Sequence, residues 1–252
     1  MDEGYIKFSC HLENSEPPDL EAFPGLSRLR TDLHDAGLIG VYPDGTGFGN
    51  VSALIRRGPA FIISGSATGS QRELSPACWS VVEYCSIAYN SLRCRGLVPA
   101  SSESLTHDAV YRANPAVCYV VHVHSWPLFR SQLEGGAAAT PPGAAFGTAD
   151  IAQAVYDQVA GREGTGGVLV MAGHEEGVIV YGSRIHDIRR ILKNCLRSSR
   201  SPLALDCIVQ YPRANRWQLT ARDRVPHHDR KKGTSPLNMV SARVQENSPL
   251  PG

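Results

Sequence analysis

Two histidines sit inside an apolar run, Tyr119-Val120-Val121-His122-Val123-His124, and few folds can accommodate them. The run has the β-branched and aromatic bias of a strand. Side chains of a strand alternate faces, so His122 and His124 point the same way, about 6–7 Å apart along the backbone. Burying two imidazoles in an apolar strand is costly unless something satisfies them. Imidazoles so placed can converge on one small cation with bonds of about 2.1 Å. That site would need a third ligand, and an acid or base beside it to do chemistry. The competing reading is a pair of hydrogen-bonded core histidines, and the spacing alone leaves both open.

The rest of the chain narrows the class. Its 252 residues suffice for one full core, with or without a tail. With 25 basic against 24 acidic residues, no global field favours nucleic acid or a membrane surface. The basic run Arg230-Lys231-Lys232 reads as a solvated tail, so a nucleic-acid partner is not expected. No run reaches the roughly 20 apolar residues of a spanning helix, and Met1-Asp2-Glu3-Gly4 begins no signal core. Seven scattered cysteines without a CxxC pair read as free thiols in a reducing cytoplasm.

Residues 1–24 are polar, contain Pro17-Pro18 and read as a loosely attached lead-in. Leu26, Leu29 and Leu33 have helical spacing, and Gly37 ends that helix. Val51 to Ile55 and Ala60 to Ser64 read as two strands of a hairpin turning at Arg57-Gly58-Pro59. Val81 to Arg93 fits either a strand or a helix. Ser102 to His107 opens a helix with serine as cap and Glu103 in its first turn, ending at Asn114-Pro115. Residues 134–149 are rich in Gly, Ala and Pro and read as a mobile loop. A helix over Asp150 to Val159 precedes strands at Gly167 to Met171 and Gly177 to Tyr181. An amphipathic helix follows over Arg184 to Arg197. Residues 198–252 read as a largely irregular extension in which only Leu203 to Tyr211 is able to order.

His174, between the last two strands, is a third imidazole about fifty residues beyond the pair. Three histidines from separate strands leave one position open, as at a catalytic zinc. Glu103 is a candidate general acid/base; its plain alternative is charge complementarity at a helix start. His107, one turn on, reads as structural. Of Glu175 and Glu176, at least one reads as an ordinary solvated turn residue. A second constellation consists of Asn50, Ser64, Ser66, Thr68, Gly69, Ser101 and Ser102. Hydroxyls, an amide and open backbone N–H groups can cradle a phosphate without any lysine.

Five short motifs occur in order: Gly49-Asn50-Val51-Ser52; Phe61-Ile62-Ile63-Ser64 with its Gly/Ser/Thr loop; Ser101-Ser102-Glu103 with His107; His122-Val123-His124-Ser125; and Gly173-His174 with Gly177 and Gly182. Together they resemble the class II aldolase/adducin family over roughly residues 25–197. The resemblance implies a single α/β/α domain with a central, mainly antiparallel sheet, assembled as a homotetramer. It implies Zn²⁺, or another divalent metal, on His122, His124 and His174, with Glu103 as acid/base. Asn50, Ser66, Thr68, Gly69, Ser101 and Ser102 would hold the substrate phosphate. The implied reaction is a lyase step of aldolase type on a small ketose phosphate, through a metal-stabilised enediolate. A 4-epimerase or a sugar-phosphate dehydratase would use the same site, and a non-catalytic adducin-head-like binding domain is the alternative from a different class.

Departures from the family pattern are equally specific. The phosphate loop reads Ser64-Gly65-Ser66-Ala67-Thr68-Gly69, so either Ser66-Ala67 or Thr68-Gly69 stands where the family has Ser-Gly. The third imidazole is followed by Glu175-Glu176, and Phe146 stands where an aromatic proton donor would carry a hydroxyl.

Overall fold

The computed structural model describes residues 6–55 and 59–199. In chain order the elements are β1 (Ser9–Asn14), α1 (Leu26–Asp35), β2 (Gly40–Val41), β3 (Gly47–Phe48), β4 (Asn50–Leu54) and β5 (Phe61–Ser64). There follow β6 (Trp79–Ser86), β7 (Ser91–Gly96), α2 (Ser104–Ala113), β8 (Tyr119–His124) and α3 (Trp126–Glu134). The last are β9 (Ala138–Ala139), α4 (Ala149–Val159), β10 (Gly166–Val170), β11 (Gly177–Gly182) and α5 (Ile185–Ser198). Among the described residues nine strands form one sheet in the order β1-β7-β6-β5-β4-β8-β11-β10-β9. Its pairings are antiparallel except β1 with β7 and β9 with β10. β2 and β3 form a separate small ribbon.

The alternation of β8 sets the layers. Val120 belongs to a core that α2 and α4 cover with Leu105, Val110, Ile151 and Val155. Val121 and Val123 belong to the opposite core, covered by α1, α3 and α5 through Leu29, Leu33, Leu128, Ile188 and Leu192. His122 and His124 share the parity of Val120, so both imidazoles face the α2 layer. A one-residue slip of β8 would drive them into the opposite core and strip Val121 and Val123 of burial, a loss of roughly 1.5–3 kcal/mol per side chain. The α/β/α layering and mainly antiparallel sheet agree with the expected fold.

Four local expectations change. Within the supposed lead-in, Ser9–Asn14 pairs in parallel with β7, and Phe8 is buried at 6% exposure. This strand attaches by backbone ladder bonds and buries few side chains, so it carries little periodicity to read. The ambiguous Val81 to Arg93 stretch contains most of the β6–β7 hairpin, with a bulge between Val82 and Tyr84. Trp126–Glu134, where no element is expected, is a helix capped by Ser125, whose hydroxyl accepts from the Leu128 N–H. The Gly/Ala/Pro stretch supplies β9, and Thr140 N donates to Val170 O at 2.9 Å. The hairpin turn at 56–58, the strand expected at Leu203 to Tyr211 and the rest of 200–252 lie outside the described residues. No described helix is long and apolar enough to cross a membrane.

Candidate active site

β8 runs antiparallel between β4 and β11, with His122 opposite Asn50 on one side and Ile179 on the other. His124 lies opposite Gly177, and the turn leading into β11 carries His174. The three rings stand 4.7, 5.0 and 4.8 Å apart between centroids. One ligand nitrogen from each lies within 4.8 Å of the others, and His124 Nε2 is 3.1 Å from His174 Nε2. All three residues are buried, at 2%, 2% and 3% exposure. Gly177 makes this convergence possible. A Cβ there would fall 2.6 Å from His174 Cδ2 and 3.1 Å from His122 Nε2, so any side chain would wedge the rings apart.

Whether these residues suit a cation can be tested on His122. Both of its ring nitrogens are buried and lack a hydrogen-bond partner among the described residues. A neutral imidazole left so costs roughly 1–3 kcal/mol per unsatisfied group. Burial, reinforced by the neighbouring imidazoles, drives its pKa well below the usual histidine value. It is therefore held neutral, the form that ligates metals. Nitrogens on a tetrahedral zinc sit about 3.4 Å apart, inside the range the triad spans. The donor set fits a borderline-soft divalent cation.

Glu103 departs from the sequence expectation in one respect. It occupies the N-cap position of α2 rather than the first turn, and its side chain makes no capping bond. The carboxylate is buried at 2% exposure, and Oε2 accepts from Thr106 Oγ1 at 2.7 Å. Ser101 Oγ accepts from the Glu103 N–H at 3.4 Å and so braces the turn that leads into α2. His107 plays the structural part expected of it. Its Nδ1 meets Ser52 Oγ at 2.7 Å, and Ser52 Oγ meets the Tyr111 hydroxyl at 2.6 Å, which docks α2 on β4. Burial pushes the His107 imidazole down to about 3.

An open cleft of about 410 Å³ joins the two constellations. It is lined by Glu103, His122 and His174 at one end, and by Asn50, Ser66, Thr68, Gly69, Ser101 and Ser102 at the other. Every site residue singled out in the sequence lies on this cleft or, like His124, in the imidazole cluster, except Ser64, whose hydroxyl accepts from Val51 N at 3.2 Å inside the sheet. Asn50 Nδ2 donates to Ser101 Oγ at 2.8 Å, linking β4 to the start of α2. Thr68 Oγ1 donates to Gly65 O at 2.9 Å and so braces its own loop. Gly69 is dictated by space, since a Cβ there would lie 2.2 Å from Gly40 O. Phe146 packs its ring 4.5 Å from that of His174 as an apolar wall, and Lys7 Nζ sits 3.6 Å from the Phe146 ring centroid.

Two residues, Arg30 and Tyr42, escaped the sequence reading. Arg30 of α1, 1% exposed, donates to Thr68 O at 3.0 Å, Gly69 O at 3.5 Å, Arg72 O at 2.9 Å and Gln71 O. Burial lowers its guanidinium to about 10, which leaves it charged at neutral pH. In a trans peptide the C=O and N–H point oppositely, so the Gly69 and Ser70 N–H groups face away from Arg30. Tyr42 bonds both His124 and Glu176. Glu175 is exposed, as a turn residue would be, whereas Glu176 is half-buried. Neither Arg30 nor Tyr42, which stands seven residues ahead of Gly49, belongs to a motif, and only an alignment pairing them with the site would have shown them.

The fold has relatives of known structure. An L-fuculose 1-phosphate aldolase superposes with a TM-score of 0.54 at 17% identity, covering 74% of this chain and 86% of that one. A sugar-phosphate aldolase from Thermotoga maritima gives 0.53 at 14% identity, covering 71% and 92%. YgbL from Escherichia coli gives 0.51 at 20% identity, covering 69% and 84%. Likenesses at such identities establish the fold alone. Among curated protein sequences none matches. The family model described as "Class II Aldolase and Adducin N-terminal domain" matches residues 43–195, more than half of the chain, and this protein belongs to that family.

Proposed function

We propose that this protein is a divalent-metal-dependent lyase of aldolase type acting on a small ketose phosphate, with zinc as the metal. The observation that carries the reading is the buried imidazole triad, with an orphaned His122, on the same cleft as the buried carboxylate of Glu103. A cation held by His122, His124 and His174 would supply Lewis-acid polarisation of a substrate's carbonyl and hydroxyl oxygens. Glu103 does the proton work. In the cleavage direction Glu103 takes the proton of the hydroxyl whose carbon becomes the aldehyde, the electrons of the broken carbon–carbon bond pass into the ketone half, and Glu103 delivers that proton to the carbon left carbanionic. In condensation it takes that proton back. Thr106 holds the carboxylate in place for both steps.

The hydroxyls of Ser66, Ser101 and Ser102, the Asn50 amide and the Gly69 N–H hold the phosphate end of the substrate. Phe146 and the buried floor limit water at the reacting end. A homotetramer in the cytoplasm is the assembly and location the family resemblance favours. A 4-epimerase or dehydratase would draw on the same metal and the same Glu103, and YgbL itself carries an aldolase/epimerase/decarboxylase description. A purely structural adducin-like domain has no use for three buried imidazoles, one of them orphaned.

The test combines metal analysis with a screen of ketose phosphates, and of dihydroxyacetone phosphate with aldehydes, in the presence of zinc and of chelator. Bound metal near one equivalent and chelator-sensitive cleavage are expected, with His174→Ala losing both. Less than about half an equivalent, or unchanged metal in His122→Ala and His124→Ala, would return the protein to the structural reading.

A further inference from the structure

Behind the imidazole triad, on the side away from the cleft, the structure holds a short relay. The Tyr42 hydroxyl oxygen is 2.8 Å from His124 Nδ1 and 3.1 Å from Glu176 Oε2. A carboxylate only accepts, so the single phenolic proton goes to Glu176. The Tyr42 oxygen then accepts, and the proton it accepts is the one on His124 Nδ1. With Nδ1 protonated, His124 Nε2 carries a lone pair, directed at the point where it meets His174 Nε2. We infer that Tyr42 and Glu176 are positioning residues that lock His124 in the tautomer and ring orientation needed to ligate a cation. The inference rests on the metal reading of the triad.

A second observation comes from the backbone. Glu176 adopts φ +67, the left-handed region that favours glycine, within the turn joining His174 to Gly177. Its carbonyl accepts from Ser125 N at 3.1 Å, which ties the turn to the residue after His124. An acid thus occupies a position where glycine would relax the chain, and its side chain returns to Tyr42. Tyr42 is itself held by ring packing, 4.6 Å from Phe48 and 6.1 Å from His124 between centroids. Removing its hydroxyl leaves that packing in place.

The experiment uses the purified full chain, stripped and then titrated with zinc against a chromophoric chelator, with the cobalt(II) absorption spectrum recorded in parallel. Tyr42→Phe and Glu176→Gly are each expected to weaken metal binding by about 10- to 100-fold, the range found when ligand-orienting partners are removed. Both should also alter the cobalt spectrum. The double variant is expected to be no weaker than the worse single one, because one break opens the whole relay. Metal-free Glu176→Gly is expected to melt at or above the wild-type temperature, which separates loss of positioning from loss of folding. Affinity within twofold of wild type in Tyr42→Phe would overturn the inference, as would additive losses in the double variant. Wild-type protein that takes up no metal would instead overturn the metal reading itself.

Discussion

The two ends of the cleft are built on opposite plans. At the imidazole end the donors are side chains on β8 and on the turn leading into β11, held by the sheet register and deeply buried, with His122 unsatisfied among the described residues. At the anion end the donors are hydroxyls and backbone N–H groups of a loop that satisfies itself, through Thr68 on Gly65 and Asn50 on Ser101. The first end is incomplete without a ligand. The second is largely satisfied from within, Asn50 Oδ1 alone being buried without a partner among the anion-end residues described, and a guanidinium behind it sets its shape. The contrast suggests a division of labour in which the strands fix reactivity and the loop fixes substrate.

The sharpest test of this division is Glu103→Gln, where the two ends meet. The variant is expected to keep its metal and its affinity for inorganic phosphate while losing about 10²- to 10⁴-fold in kcat, the usual worth of a positioned acid/base. Metal analysis beside steady-state rates checks this, and near-normal turnover would remove Glu103 from its role. Next in size is Arg30→Met. Loss of a charged donor to several loop carbonyls should cost on the order of 3 kcal/mol of stability and raise KM for the phosphorylated substrate about tenfold. Zinc affinity should stay within twofold. Equal losses at both ends would dissolve the distinction.

The smallest effect concerns the floor that both ends share. His107 docks the helix bearing Glu103 onto the strand bearing Asn50, and burial lowers its pKa to about 3. Its folded value lies below its unfolded value of about 6.5, so the stability it protects is complete above that pH and drains as pH falls toward 3. Across that window this group contributes a slope of about 1.4 kcal/mol per pH unit. Urea titrations of metal-free wild type and His107→Gln should differ by that slope between pH 6 and 4. Parallel pH profiles would show that His107 is charged in the folded protein.

Legibility along the chain followed where the energetics are local. The strand with His122 and His124, the helix at Leu26 and the helix at Asp150 were plain because burial imposes a period on consecutive residues. β1 is hidden because a ladder of backbone bonds leaves no side-chain signature, and α3 because only Leu128 and Phe129 of it are buried, too few to set a helical period. The glutamate at 103 is legible as an acid/base candidate, but its place is not: it is expected in the first turn of the helix, whereas it occupies the N-cap position and lines the cleft.

The sequence by itself determined the donors: which residues could ligate a cation, which could move a proton and which could cradle an anion. Those are properties of side-chain chemistry and of short spacing. Only the tertiary structure decided how they are held. Arg30 reaches the loop some forty residues ahead of it, Gly177 clears room for two rings, and Tyr42 bonds His124 and Glu176, 82 and 134 residues further along. Such contacts depend on packing between elements distant along the chain, and nothing in the neighbouring residues of any one of them announces it.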